Sequence, residues 1–101
     1  MDPNIQNEHY LELTERLQIF TTREERLRAA LLVTMISMNS LNHQIRVLTA
    51  LPEEAMEMAS IEIGEKESFW QQTWDRANEL LGEYRHVHAQ RMEVQGLIDQ
   101  L

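Results

Sequence analysis

A chain of 101 residues with no cysteine has room for one domain and for neither a disulfide nor a thiolate metal site. Its 17 acidic and 9 basic side chains leave a formal charge of −8, which repels phosphate backbones and anionic membrane surfaces. Nucleic acid is thereby disfavoured, and a basic or apolar protein partner is expected.

The first element begins at Asp2-Pro3, where Asp2 reads as an N-cap and Pro3 as a first-turn residue. From there Tyr10, Leu13, Leu17, Phe20, Leu27, Leu31, Thr34, Met38, Leu41, Ile45 and Leu48 follow one another by threes and fours. Glu24 stands on the one position where that count meets a charge. Such spacing draws a single stripe down a long helix, expected over about residues 3–50. Thr21 and Thr22 stand three residues before Glu24 and Glu25, the spacing of a capping box, so a break there giving three helices is open. The absence of glycine near Phe20 and the unbroken phase of the stripe favour one helix.

Leu51-Pro52 is the punctuation, because proline disfavours helix at the residue before it and suits the start of the next. Glu53 and Glu54 then complement the positive end of a second helix, expected over about residues 53–100. Along it Met56, Ile63, Trp70, Ala77, Tyr84, Arg91 and Ile98 recur every seventh residue. Ala59, Lys66, Thr73, Leu80, Val87, Val94 and Leu101 form a second column, and the two together make a heptad pattern. The pattern is weakest at Ile61-Glu62-Ile63-Gly64, where a kink would be tolerated.

The fold class that follows is all-α: a long antiparallel helical hairpin forming one domain over residues 1–101. Folding at the proline places Trp70 and Trp74 opposite Ala29, Ala30 and Val33, both tryptophans being read as seam residues. The same register sets Tyr84 near Phe20, Arg91 near Glu12, and Arg76 near Glu24. Arg91, a cation on the seam, is read as a device for fixing register.

Two helices bury little surface, and small cores are marginal, so self-association is expected. Leu31 to Met38 is apolar nearly all round, and no acid stands between Glu25 and Glu53. Leu32, Val33, Met35 and Ile36 lie beyond the stripe and need a partner. A homodimer forming an antiparallel four-helix bundle would cover them, as would another protein. Phe69, Trp70 and Trp74 are candidate interface anchors, and Met56 and Met58 offer adaptable apolar contacts near the turn. These nine residues are the candidate protein-binding set.

Catalytic, cofactor and metal sites are not expected. Glu83-Tyr84-Arg85-His86 has the Glu-x-x-His spacing of carboxylate-bridged metal bundles, but the facing helix lacks inward glutamates to match. His86 and His88, two apart, do not share a face and are read as solvated. Ser37, Ser40 and His43 have no accompanying oxyanion donors. Gly64, Gly82 and Gly96 are too far apart for a phosphate loop. The start Met1-Asp2-Pro3-Asn4 is unlike a secretory signal, and the apolar run Ala29 to Met38 is about half the roughly 20 residues of a membrane span, so a cytoplasmic location is expected.

In length and topology the chain resembles the short helical hairpins of the Trp-x-Gly secretion family. That family carries its Trp-x-Gly signature at the bend, where this chain has Ala50-Leu51-Pro52-Glu53, so membership is not inferred. The expected function is a non-catalytic protein-binding module, a small acidic bacterial chaperone or adaptor for a secreted or assembling protein. The alternative is an immunity protein, antitoxin or phage-encoded inhibitor that neutralises a basic partner.

Overall fold

A computed structural model describes residues 3–101, with the side chains of residues 5–101; the capping role read for Asp2 lies outside this range. Two α-helices pack as a hairpin, α1 over Pro3–Thr49 and α2 over Glu53–Asp99, 47 residues each. The break allowed at Thr21-Thr22 is absent. Helix runs unbroken through it, as it does through Gly64, Gly82 and Gly96.

The turn uses local chemistry alone. The Thr49 hydroxyl donates back to the carbonyl oxygens of Ile45 (2.9 Å) and Arg46 (3.0 Å), a side-chain bond added to the backbone ladder of the last turn. The Ala50 N–H reaches the Arg46 carbonyl at 3.1 Å, and Leu51 N–H the Leu48 carbonyl at 3.3 Å. Pro52 then stops α1, and its carbonyl accepts from Ala55 N–H at 2.9 Å to open α2. No residue in the turn needs a positive φ.

Every stripe residue from Leu13 to Leu48 is buried or half-buried, and so is every residue of the two heptad columns before the terminal Leu101. Contacts divide the chain into two units. In Met1–Ala29 with Leu81–Leu101 the buried apolar residues are Leu13, Val87 and Val94; in Ala30–Leu80 they are Leu41, Ala59 and Leu80.

The register differs from the one counted off the turn. Arg91 bonds Glu24 rather than neighbouring Glu12, and Arg76 bonds Glu79 on its own helix at 3.1 Å rather than meeting Glu24. Tyr84 reaches Arg28 and Glu24 rather than Phe20. Trp70 shares a groove with Asn42 and Ile45 rather than with Ala29, Ala30 and Val33. The three shifts across the seam, at Arg91, Tyr84 and Trp70, run the same way. Counting from the turn compares Cα levels, whereas helical side chains lean towards their own N-terminus. In an antiparallel pair the two leans are opposed. A residue therefore meets a partner further along the facing helix than its own backbone level.

The helices differ sharply in charge. α1 carries five acidic and five basic residues, whereas α2 carries eleven acidic and four basic. The net charge of the chain is thus almost wholly that of α2.

Candidate protein-binding surface

In the unit Ala30–Leu80 the outward face of α1 is apolar. Leu31, Thr34 and Met38 turn into the seam, which sends the residues between them outward. Leu32, Val33, Met35 and Ile36 are 59%, 66%, 56% and 60% exposed. A contiguous group of four large apolar side chains at this exposure makes this face a candidate protein-binding surface.

The facing stretch of α2 contributes a different surface. Met58 is 85% exposed, and Ile61 and Phe69 also stand bare among Glu57, Glu62, Glu65 and Glu67. Met56 is half-buried, because it belongs to the heptad column. The reading of Trp74 as a seam residue is corrected, since it is 44% exposed. It stands four residues after Trp70, beside the column rather than in it. The two indoles stack at 5.8 Å between centroids with planes 6° apart. Trp74 thus lids the half-buried Trp70, whose indole Nε1 is buried without an acceptor. Heptad position puts Phe69 and Trp74 on opposite flanks of the α2 seam, so the aromatics form no single patch.

The charged seam lies in the other unit and was only half anticipated. Glu24 is 5% exposed. One carboxylate oxygen takes the Arg91 Nε–H bond. The other receives Tyr84 Oη at 3.4 Å, His88 Nδ1 at 3.3 Å and Arg28 Nη2 at 3.4 Å. Arg28 also donates to Tyr84 Oη at 3.2 Å and lies 5.9 Å from its ring centre. Tyr84 in turn stacks on His88 at 5.9 Å. His88 is therefore a partner of Glu24 and not the freely solvated residue expected. Tyr84, His88 and Arg91 succeed each other by four and three on α2, opposite the one acid in the α1 stripe; that spacing was the available signal.

Burial by itself would raise the pKa of Glu24. The bonds from Arg91 and His88, with their charges, outweigh it and hold the carboxyl below the usual glutamate range. The folded chain then binds this proton less readily than the unfolded chain. The resulting stability is fully present above about pH 4.3 and is lost as pH falls through the folded value. Urea titrations in acid should show wild type losing stability more steeply below that pH than Glu24→Gln does. Parallel slopes would show that Glu24 is not held as described.

Among the described residues no group of three or more His, Asp or Glu side chains is placed to hold a metal ion. Among the same residues no helix is long and apolar enough to cross a membrane. Comparison with protein-family models, with curated proteins and with solved structures finds no match.

Proposed function

We propose that the chain is a non-catalytic protein-binding module, a chaperone or adaptor that holds an amphipathic segment of a secreted or assembling protein. The observation that carries this reading is the surface of α2, where bare Met58, Ile61 and Phe69 stand within a helix of eleven acids and four basic residues. Apolar side chains supply the affinity, and the acids around them reject acidic competitors. Flexible methionines suit clients of varied shape.

The same charge favours a second reading, neutralisation of a folded basic protein. The two differ in mechanism. A client held by apolar contact binds with weak salt dependence, whereas a folded basic partner associates at a rate that falls steeply with salt. The test is capture of host proteins on the immobilised chain, followed by binding kinetics of the captured partner at rising salt. The expected outcome is a partner with an exposed amphipathic segment, bound at least about tenfold more weakly by Met58→Ala/Phe69→Ala. A partner held equally by that variant would overturn the assignment of the surface. A steep fall in association rate would select the neutralising role.

A further inference from the structure

We propose that the outer face of α1 is covered by a second copy of this chain, Leu32, Val33, Met35 and Ile36 meeting the same four residues of the twin across a twofold axis. Area is the first argument. The chain exposes 7725 Å². That is about 1,700 Å² more than the roughly 6,000 Å² expected of a globular monomer of 12.0 kDa. An ordinary interface takes about 800 Å² from each partner, and obligate homodimers take more. Docking of one twin fits within the excess.

Charge decides which helix meets which. Contact through α2 would press two strongly acidic surfaces together. Contact through α1 joins the helix whose charges balance, at a stretch with no acid between Glu25 and Glu53. It also leaves both α2 surfaces facing outward. Isologous contact needs a patch that complements itself, and an uncharged apolar one does so without any pairing of opposite charges. Asn39, Ser40 and His43 flank the patch and supply the polar rim such interfaces carry. The product is a four-helix dimer in which the two α1 helices pair at the centre and each α2 lies outside.

This association needs no client, so it stands or falls separately from the proposed function. Sedimentation equilibrium of the wild-type chain should return the mass of a dimer at micromolar concentration. Ile36→Glu, which would bury an unpaired charge at the contact, should weaken association about a hundredfold. The lack of native cysteine allows a second reading of the same face. Val33→Cys should give a covalent dimer with a short bismaleimide reagent, and Asp75→Cys on the outside of α2 should not. The cross-link leaves the other apolar residues intact and so decides even where the charged variant unfolds. A wild-type monomer throughout the micromolar range overturns the proposal. So does a dimer that survives Ile36→Glu, or one that cross-links through position 75 in place of 33.

Discussion

Arg91→Met should lower the unfolding free energy by about 3 kcal/mol, whereas the double variant Glu24→Leu/Arg91→Met should lie within about 1 kcal/mol of wild type or above it. The single change leaves a carboxylate that is 5% exposed with only the longer bonds from His88, Tyr84 and Arg28. A charge kept from water without close compensation is costly. The double change removes the charge as well and restores an apolar layer in the stripe. Urea denaturation of the four members of the cycle, at one fixed protein concentration, measures the coupling directly. An Arg91→Met variant as stable as wild type would show that the pair does not form. Slipping α2 by one heptad would put Tyr84 or Ile98 in the place of Arg91 and leave the buried carboxylate without its guanidinium, so the pair penalises other registers.

Leu13→Ala should cost about 3 kcal/mol, and Leu32→Ala should cost far less in the isolated chain. The residue types are identical and only their positions on α1 differ. Leu13 is the largest fully buried side chain among the described residues, 1% exposed, and its loss leaves a cavity in the unit whose other buried apolar residues are Val87 and Val94. Leu32 stands mostly in water, so in a lone chain truncation changes little. Once a twin covers it, Leu32→Ala gains a penalty that grows with protein concentration, which Leu13→Ala does not share. Unfolding curves collected over a wide dilution series separate the two behaviours. Equal costs for both variants at every dilution would contradict the inside and outside assigned to α1.

Periodicity made the helices legible because burial along a helix repeats with the helix. Leu13, Leu41, Leu80, Val87 and Val94 all fall where threes, fours and sevens put them. Pro52 located the turn because its ring removes a donor and restrains its neighbour, effects local enough to read without a fold. Register was not legible, because it depends on the direction in which side chains lean, which a count of residues omits. His88 was missed for a related reason. Its spacing of two from His86 shares no face, whereas its spacing of four from Tyr84 and three from Arg91 sets it against Glu24. Trp74 lay one position outside the heptad column, and the pull of an aromatic towards burial hid that offset. The outer α1 face was visible as an apolar run, since a stripe of the width a hairpin needs leaves Leu32, Val33, Met35 and Ile36 over.

The central claim is that this hairpin turns one set of apolar residues inward and holds another ready for protein partners. Dilute-peroxide oxidation of the native chain, read methionine by methionine in a mass spectrometer, tests both halves together. Met58 and Met92 stand bare, Met38 and Met56 sit half-buried on the seam, and Met35 lies on the α1 face. The expected result is fast oxidation of Met58 and Met92 and slow oxidation of Met38 and Met56 at any concentration. Met35 should oxidise fast in dilute solution and slowly where the chain is concentrated. Uniform rates at all five positions would contradict the seam, and a Met35 rate that follows Met58 at every concentration would contradict the covered face.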